Sequence, residues 1–280
     1  MKTSITVFFA LALAIASGCK QQTASSVDAG NEIRFDTIHA IDKYYMLGDE
    51  SNPSCSIDMK LVYPVASKDA AITAKLTQHL VNAYFGEDVG SIDPEQALKE
   101  SVRSAIADYK DLESAFEEEK KNADDVLSFN YRITVSNSVD YNSFNLLGFT
   151  ITIEEYTGGA HPAHACSHLL LSALTGDQIS EEEVFVDNYQ NVLSALIIEA
   201  LTAKYGLEKS EDLEGKGFSN VDQIYPNNNF VIDGKGLTYT YNEYEIAPYS
   251  VGRVDVFLPY DKIRHLIRKD SPLAPLVPKK

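Results

Sequence analysis

From Ile33 to Leu47 and from Ser56 to Pro64, apolar and polar residues alternate with a period of two, and Asn52-Pro53 interrupts them, so two paired strands are expected. The period then changes. Ile72, Leu76, Leu80 and Ala83 recur at three or four residues, predicting a helix that opens after Lys68-Asp69 and ends near Gly86. A second helix is expected to open at Asp93-Pro94, where proline suits the first turn. Leu98, Val102, Ile106, Tyr109, Leu112 and Phe116 form its apolar stripe. The charged run Glu117 to Lys121 reads as a solvated face or a frayed end.

Beyond Asp125 the pattern favours strands, at 126–139, 144–156 and 163–171, rich in β-branched and aromatic residues. Thr175-Gly176 marks a turn, Ser180-Glu-Glu-Glu183 starts a short helical element, and Asn188 to Tyr205 reads as a helix with Leu193, Leu196, Ile197 and Leu201 inward. A polar loop follows over 208–220. Phe230 to Ile232 and Leu237 to Tyr241 then flank Asp233-Gly-Lys-Gly236, a hairpin signal, before a strand at 251–258 and a closing helix at 260–268. Strands and helices come in blocks without strict βαβ alternation. The expected class is therefore α+β, a mostly antiparallel sheet with packed helices in two subdomains.

The amino terminus belongs to none of this. Lys2, an apolar run from Ile5 to Ala16 and the small residues Ala16-Ser17-Gly18 before Cys19 read as an export signal. A run of about 12 residues falls short of the roughly 20 that span a bilayer. The arrangement resembles the lipobox of bacterial lipoproteins, with Ala16 where leucine is commonest. That resemblance implies cleavage after residue 18, a lipid on Cys19, and an exported protein anchored in the envelope, at the periplasmic or surface face of the outer membrane. Residues 19–32, mostly Gln, Ser, Thr, Ala and Gly, read as a tether, and 271–280 as a tail.

A formal net charge of −17 disfavours nucleic acid, whose phosphates would be repelled, and would steer a cationic partner toward the chain. Cys55 and Cys166 are left either to form one disulfide or to stay as buried thiols.

Chemistry-bearing residues gather in one stretch. His161, His164, Cys166 and His168 are its metal-capable side chains, and on a strand His164, Cys166 and His168 share one face at about 6.8 Å spacing. No acidic residue or second cysteine lies close by in sequence, so histidines packing beside a sheet is the expected role and no metal or cofactor is assigned. Glu154, Glu155, Glu243 and Glu245 offer paired carboxylates, but adjacent strand residues face opposite ways. No nucleophile elbow, HExxH helix, P-loop or dinucleotide fingerprint occurs. Gly158 and Gly159 imply a tight turn or a close backbone approach. Tyr239, Tyr241, Tyr244 and Tyr249, preceded by Asn227-Asn-Asn229, read either as a recognition surface or as cover for the core, and Pro248 restrains the loop that holds Tyr249.

Tyr156-Thr-Gly-Gly-Ala-His161, Leu174-Thr-Gly-Asp177, Phe230-Val-Ile-Asp-Gly-Lys-Gly236 and Glu245-Ile-Ala-Pro-Tyr249, in that order, resemble an exported domain family of unknown function. Its members include the extracellular part of the lysozyme-sensing anti-sigma factor RsiV and the peptidoglycan deacetylase PdaC. The resemblance implies a signature domain over 126–270 and a companion α+β domain over 33–125. PdaC's deacetylase module has no counterpart here. The expected function is non-enzymatic binding or sensing of an envelope protein, lysozyme-like and cationic, or of a glycan, through Gly158, Gly159, His161, Tyr241, Tyr244 and Tyr249. A metal-assisted hydrolase of peptidoglycan or another envelope polymer, built on the 161–168 cluster, is the alternative, and it requires those histidines to converge.

Overall fold

The computed structural model describes residues 30–86, 93–122 and 127–278; the expected leader, Cys19 and most of the tether lie outside the described residues. Two sheets form among them. The larger runs β1 (Arg34–Tyr45), β2 (Ser54–Ala66), β3 (Tyr131–Ser143), β4 (Leu146–Thr157) and β5 (Ala163–Ser172), neighbours in that order. All its pairings are antiparallel except β2 with β3. That parallel pair needs a crossover, and α1 (Ala70–Phe85), α2 (Pro94–Lys110) and α3 (Glu113–Asn122) belong to it.

Each helix start is fixed locally. The Asp69 carboxylate accepts from the Ala71 N–H at 2.7 Å, and Asp93 accepts from Glu95 N–H at 2.9 Å with Pro94 at the first turn. Caps of this kind stabilise a helix by about 1 kcal/mol. The helices bury Leu76, Leu80, Leu98, Val102, Tyr109 and Phe116 against Ile57, Met59, Leu61, Val135, Phe149 and Ile151 of the sheet. The stripe expected on one long helix is divided between two, because the helix stops at Lys110 and resumes at Glu113. From α3, Glu113 Oε1 accepts from Tyr44 Oη–H at 2.7 Å and from Leu47 N–H at 3.0 Å, tying down the β1–β2 turn.

The second sheet, β6 (Phe230–Ile232), β7 (Gly236–Tyr241) and β8 (Val254–Pro259), is antiparallel throughout. Behind it lie α5 (Gln190–Lys204), the short α4 (Glu181–Val184) with its Ser180/Glu183 capping box, and α6 (Tyr260–Ile263). Leu193, Ile197 and Leu201 of α5 meet Tyr239, Val256 and Leu258 in one core, which also takes in Leu146 and Leu170 from the first sheet. Two elements differ from expectation. The polar loop 208–220 contains a 3-10 helix, Ser210–Lys216. The closing helix ends at Ile263 because residues 266–268 pair with the chain instead: Leu266 O accepts from Val186 N–H, and Arg268 N–H donates to Val184 O. Tertiary pairing there outweighs helical periodicity. The expected tail begins with Leu273 fully buried.

Architecture is thus α+β with two subdomains, each with its own core. The boundary expected between 125 and 126 falls among residues outside the described ones, and β2 and β3 on its two sides pair directly. Cys55 and Cys166 are buried free thiols. They sit on β2 and β5, three strand spacings or about 14 Å apart across the sheet and further still along it, since Cys166 is level with Lys60, beyond the roughly 7 Å reach of a disulfide.

Candidate binding site

The site grows from the end of β4. Gly158 follows Thr157 with φ +80°, and a Cβ there would lie 1.6 Å from the Ser128 carbonyl oxygen. Only glycine fits. Gly159 is different: its nearest neighbour would be the His161 carbonyl at 3.9 Å, so no close approach requires it.

The turn delivers His161 to the surface, where its ring stacks on Tyr249 with centroids 3.6 Å apart and planes 17° from parallel. Tyr244 joins this shelf, its ring centroid 6.2 Å from that of Tyr249 and its hydroxyl 3.5 Å from His161 Nε2. Tyr244 is 66% exposed and holds φ +69°, a conformation that a bulky residue seldom adopts. Partial desolvation, then the neighbouring Glu243 and Tyr244, push the Tyr249 phenol above its ordinary pKa and keep it protonated. Tyr241 lies elsewhere. Expected as a contact residue, it is 2% exposed in the core and donates its hydroxyl to the Tyr225 carbonyl at 2.8 Å. Both faces of β7 are covered, so it offers no surface side there. Tyr239 is fully buried for the same reason.

Beside the shelf opens a cleft of about 340 Å³ between the face of β3–β5 and the loop after β7, lined by Thr134, Thr152, Glu154, His164, Glu243 and Arg253 among others. Its charged and polar groups have partners. Glu154 meets Arg132 at 2.7 Å, Glu243 meets His164 Nδ1 at 3.0 Å, and Asp255 meets Arg253 at 3.2 Å. The other two expected carboxylates are placed differently: Glu155 is exposed and paired in register with Ile133, while Glu245 accepts from Asn227 and Asn242 and so holds the loop.

His164, Cys166 and His168 share one face of β5 as their spacing predicts, yet each has a separate engagement. His164 faces Glu243. Cys166 is 3% exposed, and desolvation pushes its thiol up despite the opposing pull of Arg253, leaving a poor nucleophile. His168 Nδ1 lies 2.7 Å from Thr150 Oγ1 and Nε2 lies 2.8 Å from Thr240 Oγ1; those hydroxyls donate in turn to Asp140 and Asp255. Burial lowers the His168 pKa, with both aspartates pulling the other way. Among the described residues no group of three or more His, Cys, Asp or Glu side chains converges to hold a metal. The convergence that the hydrolase alternative requires is not formed by these three.

Two asparagines complete the frame. β5 is an edge strand, whose outward backbone groups need partners. Asn242 accepts from Cys166 N–H at 2.7 Å and donates to Cys166 O at 3.1 Å. Asn229 accepts from His168 N–H at 2.8 Å and donates to Cys166 O at 2.9 Å. Side-chain amides thus imitate a sixth strand and couple the second sheet to the first. The Asn-rich run 227–229 was visible in sequence, but nothing there told which amide would meet which strand.

Residues 49–164 match the family model described as Deacetylase PdaC, and residues 182–261 match Protein of unknown function (DUF3298). A solved member of the DUF3298 family from Bacteroides fragilis is 29% identical, superposes with a TM-score of 0.83, and is matched over 90% of this chain and 99% of that one. A DUF3298 family protein from Pseudomonas aeruginosa, 14% identical, shares the fold with a TM-score of 0.57 over 89% of this chain and 99% of that one. No curated protein matches the chain. The shelf residues Tyr244 and Tyr249 fall in the DUF3298 stretch, and Gly158 and His161 in the PdaC stretch, so the site sits where the two segments meet. The chain is therefore similar to DUF3298 and PdaC-type proteins, with a PdaC-type segment followed by a DUF3298-type segment.

Proposed function

We propose that this protein is a non-enzymatic binding or sensing module, exported and tied to the outer membrane through a lipid on Cys19, that recognises a cationic envelope protein such as lysozyme, or a glycan, at the shelf and cleft beside Gly158. The observation that carries this reading is the aromatic group His161, Tyr244 and Tyr249, the first two exposed and the third half-buried, beside a cleft that holds charged and hydroxyl groups on a largely apolar lining. Aromatic rings give rigid contact area at low entropic cost, and the paired polar groups behind them supply orientation. A net charge of −17 favours the protein ligand; the hydroxyls of Thr134 and Thr152 beside Glu154 and Arg253 suit a sugar.

Titration calorimetry of the purified protein with lysozyme and with soluble peptidoglycan fragments, at low and moderate salt, tests it. Heat is expected with one of them, and should fall at least tenfold in affinity for a Tyr244→Ala/Tyr249→Ala variant. Absence of heat with both, or binding indifferent to that variant, overturns the proposal. Acylation of Cys19 is read separately, by metabolic labelling with a fatty acid in the wild type and in Cys19→Ser.

A further inference from the structure

We infer that a second binding surface, separate from the shelf, lies between α5 and the 3-10 helix Ser210–Lys216: a groove that docks a cationic amphipathic helix. Its volume is about 790 Å³.

The groove follows from how α5 is built. One face, Leu193, Ile197 and Leu201, is spent on the core. A second set, Ala195, Ile198, Glu199, Thr202 and Ala203, recurs at i, i+3, i+4, i+7 and i+8 and lines the groove. Two alanines keep the wall low enough for another backbone to approach. Leu207 and Val221 extend the apolar floor beneath the opposite wall.

Charge selects the occupant. Glu208, Glu211, Glu214 and Asp222 form the rim with Glu199, and among the described residues no lysine or arginine lines the groove. Glu199 is neutralised by Lys262 Nζ at 3.0 Å, whereas the other four make no ion pair among the described residues. Carboxylates flanking an apolar, partly enclosed floor focus a negative potential on it. Anionic lipid and nucleic acid are repelled; a helix with apolar anchors at i, i+4 and i+7 and lysine or arginine on its flanks is matched on both counts. The 15 residues of α5 run about 22 Å, enough to seat some four turns of such a helix. None of the residues lining the cleft beside Gly158 lines this groove, so the inference stands apart from the proposed function.

The test uses the purified full chain and a fluorescent synthetic peptide of about 16 residues, leucines on one helical face and lysines on the other. A second peptide of identical composition scrambles the helical spacing. Anisotropy is expected to show saturable binding of the first peptide, weakened about tenfold or more by Glu208→Lys/Glu211→Lys/Glu214→Lys and by raising salt from about 50 to about 300 mM. Ala203→Arg, a surface change that fills the floor, should weaken it too, while Tyr244→Ala leaves it unchanged. Circular dichroism confirms that each variant is folded. Equal affinity for the scrambled peptide would reduce the groove to a diffuse acidic surface and overturn the inference. So would binding insensitive to the rim variant, or lost in Tyr244→Ala.

Discussion

Replacing Gly158 with alanine tests how the site is held. The new Cβ would sit 1.6 Å from Ser128 O, whereas carbon and carbonyl oxygen settle no closer than about 3.3 Å, so the two backbones must part by about 1.7 Å. Ser128 cannot retreat freely. Its neighbour Phe129 is buried, packs edge-on against Phe116 with centroids 5.4 Å apart, and accepts the Tyr109 hydroxyl at 2.7 Å through its carbonyl. The left-handed backbone costs a non-glycine residue about 1–2 kcal/mol, and forced displacement of packed structure about 1–3 kcal/mol more. Gly158→Ala should therefore lose about 2–5 kcal/mol. Gly159→Ala, with nothing nearer than 3.9 Å, should stay within about 0.5 kcal/mol. Urea unfolding followed by circular dichroism, since the chain has no tryptophan, measures both. Equal stabilities for the two variants would refute the claim that close approach, and not the Gly-Gly pattern itself, fixes this turn.

His168 is held below the ordinary histidine pKa by burial, so the unfolded chain binds more protons near pH 6.5 than the folded one. Its contribution to stability is present above that range and is lost as pH falls through it. His168→Gln should flatten this part of the stability profile and cost about 1–3 kcal/mol for its two hydroxyl contacts; an unchanged slope contradicts the assignment. The tyrosines separate by burial. Tyr241→Ala should destabilise by about 3–5 kcal/mol, as for other large aromatic truncations, and Tyr244→Ala by less than about 0.5 kcal/mol, a contrast that thermal melts resolve. Both thiols should resist maleimide labelling in the folded protein and react in denaturant, counted by mass; rapid labelling of Cys166 without denaturant would speak against its burial. Asn242→Ala removes the acceptor of the Cys166 N–H at the β5 edge while Asn229 still serves the Cys166 carbonyl, and faster amide exchange at Cys166 than in the wild type is the expected readout.

Local pattern determined most elements. Period-two runs marked β1 and β2, runs rich in β-branched and aromatic residues marked β3 to β5, period-four runs marked α1, α2 and α5, and Asp69 and Asp93 marked helix starts that their side chains indeed cap. The shared face of His164, Cys166 and His168 was legible too, because strand geometry alone dictates it. Where one element's choice depended on another, the sequence fell silent. The break at Asp111-Leu112 and the end of α6 at Ile263 accompany contacts with the β1–β2 turn and with segment 184–186. Tyr241 and Tyr244, three residues apart and alike in composition, part company because β7 is covered on both faces while the following turn is bare. Even the pairing of Asn229 and Asn242 with β5 needed two sheets to meet before amide and backbone could find each other. Hydrophobic period is written in neighbouring residues and can be read there; which polar groups face one another across about 60 to 80 positions is set only when the cores have packed.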